Sequence, residues 1–327
     1  MIDRRLLLLI AGALLGVARP TSGQSAPAPS PAPTGDAAAR VIADARAAVG
    51  GEARLAAVKT FVVTGRTRQV RGDNLVPIEF EIQAELPDRY ARRDEFPAQD
   101  AGPTVTGFNA DRYVQSPAPQ PPPARPGGPP PPTPQQVEAA ARAQLANAKQ
   151  DFARLMLGLF ATSYPSYPLT FAYAGQAEAP QGRADVLDAK GEGNFALRFF
   201  INSETRLPIM VSWTTPPTNV IVTVPGQPPP ASVAPGAVVV AGPPAPPAGA
   251  PKDDTDRYSK EVLALRANAQ ATPVEHRLYF ADYREVDGVK LPFRLRRAIG
   301  TETTEETTFD RFRVNARIDP RKFEPVK

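Results

Sequence analysis

The residue types that do chemistry are few in this 327-residue chain, and their spacing assembles no reaction centre. There is one histidine, His276, and no cysteine. A histidine-based zinc site needs more imidazole or thiolate ligands than this sequence holds. His276 lies between Glu275 and Arg277 at the start of a strand-like run, where a lone histidine is expected at the surface. Asp253, Asp254 and Asp256 are close enough together to suggest a calcium loop. Neither the turn glycine nor the closing glutamate of such a loop follows them, so they are expected as solvated charges. Asp185 and Asp188 could in principle form a carboxylate pair, but an odd spacing on a strand points them to opposite faces. No serine has a nucleophile-elbow sequence around it. The glycines of Gly191-Glu192-Gly193 are not followed by a phosphate-loop pattern. No catalytic residue, metal or cofactor is expected.

The compartment is more legible than the chemistry. The chain opens MIDRRLLLLIAGALLGVARPTSGQSAPAP, with Arg4 and Arg5 before an apolar run at 6–18 and small polar residues after it. That is the order of a secretory signal, and the run is too short for an ordinary membrane span. The adjacent arginines also fit a twin-arginine signal, so the export route stays open. Cleavage after residue 24 removes Asp3, Arg4, Arg5 and Arg19, which reduces the formal charge from +4 to +2. The composition argument for a nucleic-acid partner goes with those charges. With no cysteine after the apolar run there is no lipid anchor, and with none anywhere there is no disulfide, so a core must hold the domain. A soluble periplasmic protein without a membrane span is expected.

The elements carry the rest. The clearest stretch is HRLYFADYREVDGVKLPFRLRRAIG at 276–300. Leu291, Phe293, Leu295 and Ile299 alternate with Lys290, Arg294, Arg296 and Ala298, and Arg297 is the single polar intruder on the apolar side. Asp287-Gly288 supplies the positive-φ pair of a tight hairpin turn. Further strands are read at 60–70, 76–86, 169–175, 183–190, 194–202 and 207–213, with a short hairpin around Asn109, Ala110 and Asp111 and a threonine-rich strand after 300. A helix capped by Asp36 ends at Gly50-Gly51. A longer one starts with Thr133 as cap, Pro134 first and Gln136 closing a capping box. Its apolar stripe is Val137, Ala141, Leu145, Ala148, Phe152, Leu155 and Leu159, and Arg142, Lys149, Gln150 and Arg154 are expected to see water. Residues 256–268 fit helix or strand.

Proline-rich segments punctuate this order: a linker at 25–34 and inserts at 116–132 and 215–255, read as solvated, with short edge strands in the second. Leaving out 1–34 and both inserts leaves 235 residues, the size of a single domain spanning 35–327. The short turns predict one antiparallel sheet, so the fold class is α+β and mainly β. Two helices are too few to cover it flat. The sheet either closes a filled core around the long helix or leaves an apolar cleft beneath it, and alternation alone fits both.

Several motifs together resemble the periplasmic outer-membrane lipoprotein-sorting proteins, the lipoprotein-carrier (Lol) superfamily. They are the helix ending in GG, the strand after AAVKTF, the LPDRY turn, LRFFINSETRLPIMVSW, YFADYREVDGVKLPFRLRR and FRVNARIDPRKF. The resemblance implies a strongly curved antiparallel half-barrel whose concave apolar face is lidded by helices. It also implies a non-enzymatic carrier of acylated lipoprotein, lipid or a similar amphiphile. The residues facing such a ligand would be Ile78, Phe80, Ile82, Phe195, Leu197, Phe199, Val211, Trp213, Leu291, Phe293 and Leu295, with Leu145, Phe152, Leu155 and Leu159 on the lid. The alternatives are an envelope sensor or scaffold that binds an envelope protein through the sheet edge or proline arms, and a hydrolase acting through carboxylates.

Overall fold

A computed structural model describes residues 34–71, 74–97, 102–118, 132–179, 182–225, 233 and 236–324. The export signal, the linker as far as residue 33 and insert residues 119–131 lie outside them. Two short helices come first, α1 (Thr34–Val49) and α2 (Glu52–Ala57), and then five strands: β1 (Thr60–Arg71), β2 (Asn74–Glu85), β3 (Arg89–Glu95), β4 (Thr104–Asn109) and β5 (Arg112–Ser116). The long helix α3 (Pro134–Phe160) precedes β6 (Thr170–Ala179), β7 (Gly182–Lys190), β8 (Ala196–Asn202) and β9 (Pro208–Thr215). After β10 (Asn219–Thr223), β11 (Ala237–Ala241) and helix α4 (Lys252–Ala271), the chain closes with β12 (Val274–Val286), β13 (Val289–Ile299), β14 (Glu302–Val314) and a 3-10 turn at Pro320–Phe323.

Twelve strands form one sheet in the order β5-β4-β3-β2-β1-β14-β13-β12-β9-β8-β7-β6, with antiparallel pairing throughout. Consecutive strands pair within β1–β5, β6–β9 and β12–β14, while β9 pairs β12 and the first strand pairs the last. The sheet is not closed: β5 and β6 are its two edges. The hairpin of β12 and β13 turns at Asp287 (φ 51°) and Gly288 (φ 78°), the left-handed pair expected of a two-residue loop. On β2 the even positions Ile78, Phe80, Ile82 and Ala84 are all buried, as the alternation requires.

The interior divides into two clusters. One joins Phe61, Phe80, Phe108, Phe152, Met156, Leu159, Leu291, Phe293, Phe309 and Phe312 across β1, β2, β4, β13, β14 and α3. The other joins Ala38, Val41 and Ala45 of α1 to Leu157, Leu187, Phe195, Leu197, Phe199, Ile201, Val211, Leu278 and Phe280. Helix α3 connects them, packing on β4 and β5 and also on β9 and β13.

Several expectations are corrected. Helix α1 begins at Thr34, so Asp36 sits in its first turn instead of capping it. The capping box at Thr133 and Gln136 forms as read, but the first turns of α3 cover nothing: Val137 is 55% exposed. From Phe152 to Phe160 the same helix is buried on every side. Arg154, expected in water, is 8% exposed and lies over the rings of Trp213 (4.3 Å) and Phe195 (5.0 Å), with Asp151 at 2.8 Å. Burial lowers the Arg154 pKa and Asp151 partly offsets that. Here α3 passes between the two clusters, so both of its faces meet protein. In the second insert, β10 and β11 do not extend the main sheet but pair with each other in parallel. Residues 252–271 resolve to helix α4, which packs on that ribbon.

Candidate functional site

The inner face of the sheet is largely apolar, with one polar group around buried Asp185 on β7 and a larger one further across the sheet. There, Tyr90 and Arg92 of β3, Thr67 of β1, Thr307 and Glu305 of β14 and Arg297 of β13 occupy inward positions. Around them is a cavity of about 320 Å³. Its walls include Ile82, Tyr90, Arg92, Tyr113, Leu278, Leu295, Arg297, Glu305 and Phe309 from seven strands with Thr106, while Gln144, Ala148, Asp151 and Leu155 of α3 form the roof. The deepest polar contacts form a chain. Arg92 pairs with Asp94 at 2.8 Å and lies 4.6 Å from the centre of the Phe80 ring. The Arg92 guanidinium donates to Thr67 (3.4 Å), Thr67 and Thr307 share a hydrogen bond (2.9 Å), and Thr307 donates to Glu305 (3.2 Å).

Burial alone would lower the Arg92 pKa, but Asp94, Tyr90 and Glu305 outweigh it and hold the group above its ordinary value. Burial pushes the Tyr90 phenol up to about 12, so it stays a neutral donor at physiological pH. Ring contacts from Tyr90 to Phe152 (5.1 Å) and Phe108 (5.9 Å) fix its position. The site therefore combines an apolar wall with positioned, charged donors, the mixture that orients a ligand in a pocket.

Of the residues expected to meet a ligand, Ile82, Leu155 and Leu295 line this cavity. Phe80 and Phe152 stand directly behind it, through their contacts with Arg92 and Tyr90. Leu159, Leu291 and Phe293 belong to the first core cluster, and Leu145 packs part-buried against it. Phe195, Leu197, Phe199 and Val211 belong to the second cluster, with Trp213 part-buried beside it. Ile78 is buried. Sequence reading missed Tyr90, Arg92, Thr67, Thr307 and Glu305. The available signal was the phase of β3, which pairs Tyr90 with inward Ala84 and Arg92 with inward Ile82.

The residues first inspected for chemistry lie elsewhere. Asp185 and Asp188 do face opposite ways: Asp185 is buried and accepts from Tyr173, Gln176 and Arg206, while Asp188 pairs with Arg198 at the surface. Asp254 and Asp256 pair with Arg257 and Lys252 along α4. His276 is not a plain surface residue. It is half-buried, stacked on Trp213 (5.4 Å, 14° between planes) and 2.8 Å from the Thr215 hydroxyl. Burial lowers its pKa, and Arg154 and Arg297 add to that. Among the described residues no three His, Asp or Glu side chains gather as a metal ligand set. A larger recess of about 400 Å³ is bordered by Arg66, Arg68, Arg294 and Arg296. Those arginines alternate with inward residues, so they put the recess on the water-facing side of the sheet, with Ile209, Phe280 and Leu295 also at its border.

No family model and no curated protein matches the chain. The chain is similar to solved structures of a LolA superfamily protein from Nitrosomonas europaea (9% identity, TM-score 0.45, 88% of this chain and 97% of that one). It is also similar to a putative outer membrane lipoprotein-sorting protein domain from Vibrio parahaemolyticus (8%, 0.44, 88% and 97%). A third likeness is to a DUF1329 family protein from Desulfovibrio piger (10%, 0.47, 89% and 98%). At such identities the likeness says nothing of a ligand. Among the described residues no helix is long and apolar enough to cross a membrane.

Proposed function

We propose that this protein is a non-enzymatic, exported carrier that holds the apolar chain of a lipid or acylated protein in the cavity between α3 and the sheet. One observation carries the reading: a single void of about 320 Å³ has walls from β5 at the sheet edge through to β12, with α3 above. Laid flat, the eight strands from β5 to β12 would span about 34 Å at the usual spacing. A void of that volume cannot touch both ends of a flat sheet. The sheet is therefore inferred to curl around α3 as a half-barrel, as the sequence resemblance implies.

The volume bounds the ligand. A methylene needs about the space of a water molecule, roughly 30 Å³, so the cavity takes on the order of ten chain carbons. At about 0.8 kcal/mol each, their burial offers roughly 8 kcal/mol before the losses of association. Because the losses of association come off that figure, micromolar affinity is the tightest expected for a simple chain.

Titration of delipidated protein with a fluorescent medium-chain acyl probe tests the proposal. Wild-type protein is expected to bind with a stoichiometry of one, and Leu155→Glu to lose at least about tenfold in affinity, because a buried unpaired carboxylate is costly. Retained circular dichroism distinguishes lost binding from unfolding. Absence of probe binding to the wild type, together with protein partners recovered by crosslinking, would overturn the carrier reading.

A further inference from the structure

Three arginines meet at the cavity region, and each has one carboxylate. Arg92 has Asp94 at 2.8 Å and Arg154 has Asp151 at 2.8 Å, both within hydrogen-bond distance. Arg297 has only Glu305, at 3.7 Å, beyond it. The Glu305 oxygen that faces Arg297 also accepts the Thr307 hydroxyl at 3.2 Å, which holds it toward β14. Among the described residues no side chain or carbonyl accepts a hydrogen bond from Arg297. Its side chain is one-third exposed (33%), and it lines both the cavity and a neighbouring recess beside Trp213 and His276.

The strand context makes this placement deliberate in form. Arg297 continues the inward series Leu291, Phe293 and Leu295, and the pairing of β13 with β14 shifts register immediately after it. The residue skipped there is Thr304 of β14, while β13 stays in register with β12 through Ala298 and Ile299, so Arg297 is the last residue of its strand before the two strands are offset. Leu278 stands opposite it on β12 and Glu305 on β14. A guanidinium at the end of an apolar wall, with its donors uncommitted, has the geometry to fork onto an oxyanion whose tail follows that wall.

We propose that Arg297 anchors an anionic head group, a carboxylate or a phosphate, so that the ligand is an acidic amphiphile and not a neutral chain. This rests on the carrier reading and narrows its ligand class. The head would meet Arg297 at the junction of the two recesses, displacing the long contact to Glu305. The tail would run along Leu295 and Ile82 beneath Leu155. Arg154, over the Trp213 ring, and Arg92, in the cavity wall, are already held by Asp151 and Asp94, so Arg297 is the guanidinium left for the head.

The test uses three probes of equal tail length on the full exported chain: laurate, dodecyl phosphate and dodecanol. Wild-type protein is expected to bind one or both acids at least about tenfold more tightly than the alcohol, the size of a charge-assisted hydrogen bond. Which acid binds better distinguishes a carboxylate from a phosphate source. Arg297→Met should abolish that preference while leaving dodecanol within about threefold, and Arg297→Lys should restore only part of it, because a point charge lacks the fork. Glu305→Gln should tighten the acids alone. Equal binding of acids and alcohol by the wild type overturns the anchor and leaves the carrier standing. Binding of none of the probes removes the carrier and the anchor together. If Arg297→Met unfolds, Glu305→Gln decides: tighter acid binding supports the anchor and unchanged acid binding overturns it.

Discussion

Replacing Gly158 with alanine probes how α3 is seated on the sheet. A Cβ on Gly158 would lie 2.0 Å from Cε1, 2.3 Å from Cδ1 and 2.4 Å from Cζ of Phe280 on β12. Ordinary contact begins near 3.4 Å, so the helix and ring must separate by more than 1 Å. The ring has little room to give, being 4% exposed within the second cluster. The helix is also tied at the same residue, since the Tyr283 hydroxyl is 2.9 Å from the Gly158 carbonyl. Alanine in a free helix would gain about 1 kcal/mol over glycine, whereas overpacking a core costs about 1–3 kcal/mol. With a clash this deep the cost falls at the upper end, so the expected balance is a net loss of about 2 kcal/mol, or several degrees in the thermal midpoint for a chain of this size. Calorimetry of Gly158→Ala, Phe280→Leu and the double variant measures it. The smaller leucine should relieve the clash, giving a favourable coupling of about 1 kcal/mol in the double-mutant cycle. A Gly158→Ala protein that melts higher than wild type, or a cycle that is strictly additive, would refute the close seating of α3 on β12.

Arg154→Met should cost about 1–3 kcal/mol, because it removes a charge stacked on two rings and leaves Asp151 without its pair. Denaturation reads the loss, and the emission of Trp213, the single tryptophan, should shift with it. Asp185→Ala should cost about 2–3 kcal/mol in urea denaturation, since it strips Tyr173, Gln176 and Arg206 of one shared acceptor. The His276 pKa is lowered on folding, so the unfolded chain takes up the proton first. Its contribution to stability is full above about pH 6.5 and falls as pH drops through the lowered value. His276→Gln should flatten the wild-type decline in melting temperature below that pH, and an unchanged slope would contradict the assignment.

Period-two alternation in β2, β8 and β13 was enough to place their inward faces, and the Asp287-Gly288 turn fixed the register of the central hairpin. Local chemistry was equally legible at Thr133, where cap and box residues are neighbours in sequence. What failed depended on distant partners. Arg154 reads as a solvent residue on a helical wheel, and only the meeting of α3 with Trp213 and Phe195 turns it inward. The strands of the second insert carry apolar runs without alternation, Val220–Val222 and Ala237–Ala241, so their sequence does not say whether they join the main sheet or each other. The ambiguity at 256–268 has the same origin: α4 has one fully buried residue, Ala269, so no apolar stripe announces it.

The choice between a filled core and a cavity could not be made from the apolar residues, because both outcomes bury them. Phe199, Val211, Leu291 and Phe293 are as inaccessible as a packed core demands, and nothing in their alternation separates them from Ile82, Leu155 and Leu295 on the cavity wall. The polar residues in the same inward register make the distinction. An inward threonine or arginine in a close-packed core would strand its hydrogen-bonding groups, at a cost comparable to the gain from a well-buried side chain. Thr67, Thr307, Arg92 and Glu305 escape that cost by bonding to one another, while Arg297, 3.7 Å from Glu305, turns its donors to the cavity. Their clustering across β1, β3, β13 and β14 follows from the register alone, since Thr67 pairs with Thr307, and Arg297 with Glu305. Inward polar residues on these adjacent strands therefore mark where the inner face borders the cavity, and Arg297, the one intruder visible in a single strand, stands at the edge of that region.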